Sequence, residues 1–206
     1  MRRLLIIISI ALLPRISHAQ EIFDGKEYNE PTPAVWSLHT NGLYLLGGIF
    51  NVGAEMQLDC GLGVKMDYMG AWWNRRSTDH FYSCYGIQTE LRYYLDAIKN
   101  YAPYRGHHFS IYGQLMTYDF EFGGTGYQSA RFGRTWGTGI SYGYTFPLKK
   151  HLSLDLNAGI GYFHTGYDIY QPYNGDYYLT GKGKRNFFGP TSLEVSLIWI
   201  INAKNY

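Results

Sequence analysis

The residues able to do chemistry fall at alternating positions. Lys65 and Asp67, Glu90 and Arg92, and Asp155 and Asn157 are each two apart. That spacing sets both side chains on one face of a β-strand. Glu55, Gln114 and Glu194 take equivalent places in other such segments. The chemistry on offer is mutual neutralisation, because a confined charge is costly unless paired. Other chemistries read less well. His107 and His108 are adjacent, so on a strand they point to opposite faces and cannot share a metal. His164 stands near a segment end without a positioned Ser or carboxylate to complete a nucleophilic site. The chain shows no Gly-rich phosphate loop, zinc-ligand spacing or carboxylate pair at a cleft. No catalytic, cofactor-binding or metal-binding residue is therefore assigned, and no cofactor is expected.

Eight segments with period-two character must position these groups: 35–46, 51–58, 62–74, 82–95, 107–120, 134–147, 151–167 and 190–201. In the seventh, Leu152, Leu154, Leu156, Ala158, Ile160 and Tyr162 oppose Ser153, Asp155, Asn157, Gly159 and Gly161. In the sixth, Trp136, Ile140, Tyr142, Tyr144 and Phe146 oppose Gly137, Gly139, Ser141 and Gly143. The first is ambiguous, since Leu43 and Leu45 lie opposite Tyr44 and Leu46. Connections at 59–61 and 148–150 are tight, and those at 121–133 and 168–189 are long. Short turns on one side and long loops on the other fit an up-and-down barrel with both termini inside.

Composition agrees. Of 206 residues, 25 are Gly and 21 Tyr, with aromatics at 18% and charged residues at 17%. Disorder and coiled coils want the opposite balance. Mean hydropathy is −0.26, and no later apolar run approaches the ~18 residues of a spanning helix. At the N-terminus, Arg2 and Arg3 precede an apolar run from Leu4 to Leu13, and Ser17-His18-Ala19 supplies a small-x-small cleavage site. Residues 1–19 read as a cleaved signal peptide, 20–34 as a flexible periplasmic lead-in, and 35–206 as the barrel. Removing Arg2, Arg3 and Arg15 leaves 15 of the 18 basic residues against 16 acidic ones, a net of −1. Nucleic acid is not an expected partner. Cys60 falls in a turn and Cys84 near the outer end of the fourth strand, facing in. A hydrophobic band ~25 Å tall separates them, whereas a disulfide needs Cα atoms within ~7 Å, so they are not expected to bond.

Two features set the sidedness. The polar face is mostly Gly and Ser, a poor solvated exterior but a good filling for a narrow interior. Aromatics collect at strand ends as two girdles. Tyr44, Trp72, Trp73, Phe81, Tyr82, Tyr118, Phe120, Trp136, Tyr162, Phe163 and Tyr167 are expected at the outer rim. Trp36, Tyr93, Tyr94, Tyr144, Phe146 and Trp199 are expected at the inner rim. The fold class is then all-β: an eight-stranded antiparallel up-and-down transmembrane barrel in the outer membrane. Its lumen carries Glu55, Lys65, Asp67, Glu90, Arg92, Gln114, Asp155, Asn157 and Glu194. A simple hairpin after the third strand sets Lys65 opposite Arg92 and Asp67 opposite Glu90. The diagonals Asp67–Arg92 and Lys65–Glu90 then form a salt-bridged plug, at ~7–8 Å between Cα atoms.

Outer-membrane lipid is the partner this layout implies. Arg75, Arg76, Arg131, Arg134, Lys182, Lys184 and Arg185 lie in the outer loops, within reach of surface-glycolipid phosphates. Asp79, Glu121, Asp168 and Asp176 dilute them, and solvated loop charge is the reading taken. A lipid-modifying barrel enzyme and a soluble lipocalin-like carrier are the alternatives. An ordered Ser–His pair at the rim would favour the first, a lumen lined by the leucines of the seventh strand the second.

Several stretches carry a family resemblance. They are Asn51-Val52-Gly53-Ala54-Glu55, Gly106-His107-His108 through Tyr112-Gly113-Gln114, and Thr117-Tyr118-Asp119-Phe120-Glu121 with Gly123-Gly124. To these add Tyr142-Gly143-Tyr144, and Phe188-Gly189-Pro190-Thr191 before Glu194-Val195-Ser196-Leu197. Over roughly residues 37–202 the chain resembles a domain-of-unknown-function family of small outer-membrane barrels, often encoded near fimbrillin-type adhesin clusters. The resemblance implies an outer-membrane location and an accessory role with fimbrial or other surface proteins. It brings no catalytic residues.

Overall fold

A computed structural model describes residues 34–58, 61–75, 80–96, 103–173 and 176–201, all within the unit Pro33–Tyr206. The expected signal peptide, nearly all of the lead-in and Cys60 lie outside the described residues. The elements are β1 (Val35–Asn41), α1 (Gly42–Leu46), β2 (Phe50–Gln57), β3 (Leu62–Arg75), β4 (His80–Tyr94), β5 (Gly106–Phe122), β6 (Thr125–Ser129), β7 (Thr135–Lys149), β8 (Leu152–Tyr173) and β9 (Asp176–Ile200). Every pairing is antiparallel, and β1, β2, β3, β4, β5, β7, β8 and β9 form a ring that β9 closes onto β1. No helix among the described residues is long and apolar enough to cross a membrane, which says nothing about strands.

The alternation of side chains sorts the ring into two faces. Even-numbered residues of β7 and of the lower part of β8 point outward: Ile140 is 59% exposed, and Leu156 and Ile160 are also exposed. Outward positions elsewhere carry Leu38, Val64, Met66, Leu91, Ile111 and Leu197. The inward face is mostly polar and buried, with an apolar cluster of Val35, Tyr94, Tyr104, Ile198 and Ile200 at one end. The burial pattern is thus the reverse of a water-soluble core, whose apolar residues are hidden.

The structure departs from the sequence reading at four places. First, β1 ends at Asn41 rather than at 46. The Asn41 side chain accepts from Leu43 N at 3.0 Å and caps a single helical turn, the role that Asn favours. Leu43–Leu46 is apolar all round, so no strand period holds it in the sheet. Second, the segment after β5 contains β6. Gly123 and Gly124 both have positive φ, 63° and 85°, between the facing residues Phe122 and Thr125. Two such residues make the tight turn that matches strand twist. Third, the stretch 168–189 is strand, not loop, because β8 and β9 pair, with a register shift at Ile169/Tyr170, as far as Tyr173↔Asp176. Beyond the apolar band both faces of this hairpin mix polar and aromatic residues, with Ile169 and Leu179 among them, so it has no clear alternation to read. Fourth, β3 and β4 pair with Lys65 opposite Glu90, Asp67 opposite Gln88 and Gly63 opposite Arg92. This is two residues from the expected register. A two-residue slip keeps each side chain on its face, so the same groups converge with different direct partners.

Some expected rim aromatics face inward instead. Tyr94 is fully buried, and Tyr118 bonds Thr165 Oγ1 at 2.8 Å. Tyr82 stacks on Phe120, which stacks on Tyr118. These residues share strand parity with Cys84, Arg92 and Gln114, which already placed them inward. Phe163 and Tyr167 share parity with Asp155 and pair with Phe187 and Gly183 on β9. Tyr44 turns with α1 towards Lys65 and Glu194, lining with them a void of about 20 Å³, room for about one water. Trp73 neighbours Trp72 and so takes the other face, donating from Nε1 to Gly48 O at 2.9 Å. On the outward face stand Trp72, Trp136 and Tyr162 at the α1 end, and Trp36, Tyr93, Tyr144, Phe146 and Trp199 at the other.

Candidate functional site

The inward polar groups meet in one connected cluster to which all eight ring strands contribute. At its centre is Arg92 on β4, 1% exposed. Its Nε lies 2.8 Å from Glu90 Oε2, its Nη1 3.0 Å from Asp155 Oδ2 and 3.4 Å from Glu55 Oε2, and its Nη2 3.3 Å from Glu194 Oε2. The planar five-donor guanidinium suits contact with several carboxylates at once. Lys65 Nζ sits beside it, 2.6 Å from Glu194, 3.0 Å from Asp67 and 3.6 Å from Glu90. Glu90 and Glu194 are shared by both cations, so the two ion clusters are one network.

Neutral groups and imidazoles complete the coordination. Gln88 donates to Glu90 at 2.6 Å and to Glu194 at 3.0 Å. Tyr94 Oη donates to Glu55 at 2.9 Å, and Thr145 Oγ1 to Asp155 at 2.8 Å. His108 Nε2 lies 2.8 Å from Asp155 Oδ1, and His39 Nε2 lies 3.1 Å from Asp67 Oδ1. Ser110 bonds Ser141 at 2.5 Å and reaches Glu90 at 3.4 Å. Gln114 and Asn157 are buried on the same face, with Asn157 opposite Glu194 in register. All nine polar positions singled out from sequence therefore face inward, and Asp67 is the most exposed of those in ion pairs, at 23%.

The sequence reading missed His39, Gln88, Tyr94, His108 and Thr145 as members. The signal was strand parity: Gln88 and Tyr94 alternate with Glu90 and Arg92, and His108 with Gln114. The inward glycines, read from sequence as fitting a narrow interior, are crossing points for long side chains. A Cβ on Gly143 would meet His108 Nε2 at 2.5 Å, one on Gly137 Gln114 Nε2 at 2.7 Å, and one on Gly63 Glu55 Oε1 at 2.5 Å.

One end of the interior is covered among the described residues. Tyr104, fully buried, donates from Oη to Val35 O at 2.6 Å and Glu55 O at 3.0 Å, and packs edge-on to Tyr94. Carboxylate oxygens of Asp67, Glu90 and Glu194 lie within 4.8 Å of one another, a spacing that would suit a metal ion. Lys65 Nζ already stands among them. The arrangement therefore supplies its own cation, and its five carboxylates share Lys65 and Arg92 with the donors Gln88, Tyr94 and Thr145 across the ring.

The outward side carries a different polar set. His164 Nδ1 is 2.6 Å from Asn186 Oδ1, and its ring leans on Trp136. Above them, Arg134 makes a two-pronged pair with Asp168 at 2.6 and 3.2 Å. That hydrogen bond holds the Asp168 carboxyl below the usual carboxylate range.

The profile of a family described as protein of unknown function (DUF3575) matches residues 5–201, and the chain belongs to that family. No curated protein and no solved structure matches it.

Proposed function

We propose that this member of the family is a small outer-membrane β-barrel whose lumen is plugged by its own side chains, with a structural or accessory role at the cell surface. One observation carries the reading: the ring wears its apolar residues outside and its charges inside. Leu38, Met66, Ile111, Ile140 and Leu193 are exposed while Glu55, Lys65, Glu90, Arg92 and Asp155 are at most 2% so. In water this arrangement would bare far more apolar surface than a monomer tolerates. In hydrocarbon it is the favoured one, since a closed ring leaves no strand edge unpaired at membrane depth. Outward aromatics at both ends match the two headgroup levels.

A soluble carrier would need the opposite sidedness. A lipid-modifying enzyme would need a nucleophile beside His164, whose contacts with Asn186 and Trp136 support a place in the rim. An accessory part in assembling surface proteins, fimbriae included, is the role proposed with this location. The test is cell fractionation followed by electrophoresis with and without boiling. The chain is expected in the outer-membrane fraction, with a mobility shift on heating. Recovery as a soluble periplasmic protein without a shift would sink the reading.

A further inference from the structure

We propose that the outward face of β8 and β9 above the aromatic rim binds the phosphate groups of an outer-leaflet glycolipid. This rests on the membrane reading above. The facing pairs of β8 and β9 form a ladder of known order: Ile160 opposite Pro190, Tyr162 opposite Phe188, His164 opposite Asn186, Gly166 opposite Lys184, and Asp168 opposite Lys182. Directly opposed antiparallel residues share a face, so this ladder is one surface seen in depth. It passes from aliphatic to aromatic, then to imidazole and amide, then to cations. Four residues separate the Tyr162 rung from the Gly166 rung, about 13 Å along a strand. With the usual tilt of 35–45° that is about 10 Å along the membrane normal, the step from the edge of the hydrocarbon to the headgroups.

A third cation is laid across the same rungs. Arg134, just before β7, runs over Gly166, where a Cβ would meet its Nε at 3.4 Å, and reaches Asp168 beyond. Gly166 leaves the room for that crossing. Lys182 stands opposite Asp168 in register and Lys184 opposite Gly166, and Arg131 also acts electrostatically on Asp168. Asp119 of β5 reaches the same flank, accepting from Tyr170 of β8 at 2.6 Å and from Gln128 at 3.2 Å, so the exposed positive charge of the flank is carried by Lys182 and Lys184 on β9. Arg134 is held by Asp168, so the ammonium groups of Lys182 and Lys184 are the ones that meet a phosphate, which takes several charge-assisted hydrogen bonds at once. Because the cations sit directly over the aromatic rim, the phosphate they meet is one anchored at that depth by its own acyl chains.

The test uses the full chain refolded in a neutral detergent and three probes: a diphosphorylated glycolipid, the same lipid after enzymatic dephosphorylation, and inorganic phosphate. Binding is followed by tryptophan fluorescence, Trp136 lying at the rim. The phosphorylated lipid is expected to bind at least about tenfold more tightly than its dephosphorylated form, and inorganic phosphate weakly. The double variant Lys182→Gln/Lys184→Gln is expected to lose that preference, and Lys182→Arg/Lys184→Arg to keep it. Equal binding of both lipids, equal binding by the Gln variant, or saturation by inorganic phosphate alone would each overturn the site. Boiled and unboiled gels of the same samples separate the two failures. A heat-shifted band without phosphate preference defeats only the site, whereas a soluble chain without a shift defeats the membrane reading as well.

Discussion

The interior cluster and the outward face of β8 and β9 are built from the same residue types at the same strand period, yet their charges stand in opposite conditions. Inside, Arg92 and Lys65 touch five carboxylates between them, all but Asp67 almost fully buried. Outside, Asp168 pairs with Arg134 and stands opposite Lys182, and the Arg134–Asp168 pair is about a quarter exposed. Which side of the sheet a residue occupies decides whether its charge is structural or available. A charge enclosed by the ring has no water to fall back on, so its partners are part of the fold. A charge on the flank keeps its water and can exchange it for a ligand.

The sharpest way to break this contrast is to remove Arg92. Arg92→Met leaves Glu90, Asp155, Glu55 and Glu194 facing one another with one fewer cation among them. Breaking a buried pair from one side destabilises by about 3–5 kcal/mol, and here a single change strips four carboxylates. The expected result is a large fall in the urea midpoint of the compact, heat-sensitive form, or failure to refold. An unchanged midpoint would show that the cluster does not hold the ring together.

Next in size is a test of sidedness itself. Ile140 is outward and 59% exposed, near the middle of the apolar band. A Lys or Arg on the lipid face costs about 2–4 kcal/mol at the midplane and far less near the interface. Ile140→Lys is therefore expected to lower stability in lipid vesicles by about that amount, while Trp36→Lys at the rim does much less. Equal effects at the two depths would argue against a hydrocarbon surrounding.

How much of this could be read from the sequence follows from the same physics. Where one face met charge and the other apolar surroundings, alternation was strong, so Asp155, Asn157 and Glu194 were placed inward from the chain alone. Where the environment is alike on both faces, the signal vanished. The upper halves of β8 and β9 read as a loop for that reason, and with them went the Gly166–Lys184 and Asp168–Lys182 rungs. Tyr118 shows a different failure: its parity with Gln114 gave the face, but an aromatic near a strand end was credited to the girdle. Register was beyond the sequence, because slips of two keep every face and differ only in which partners meet.

A smaller effect probes how the interior is filled. The small residues on the inward face of β7 suit a narrow interior, and the structure puts His108 across Gly143. Gly143→Ala would set a Cβ against His108 Nε2 at 2.5 Å and Leu156 O at 2.7 Å. The backbone carbonyl cannot swing away as a side-chain end can. Overpacking of this kind costs about 1–3 kcal/mol, to be seen as a lowered denaturation midpoint with the fold retained. A neutral result would mean that the interior is looser than its side-chain crossings imply.

The smallest effect is expected on the outward face, and its sign can be worked through. Asp168 has its carboxyl lowered by Arg134. A carboxyl lowered on folding adds stability above its ordinary value of 3.8, and loses it as pH falls through the folded value below that. Were Asp168 enclosed like Asp155, Asp168→Asn would flatten the acid limb of the stability curve. It instead keeps contact with water, at about a quarter exposed, and pairs reached by solvent contribute little because water and salt screen them. Wild type and Asp168→Asn are therefore expected to share both the midpoint at neutral pH and the same decline between pH 5 and pH 3. The comparison turns on that coincidence. If Asp168→Asn alone removed the acid limb, the flank of β8 and β9 would be structural in the same sense as the interior, and its cations would not be free to meet a phosphate.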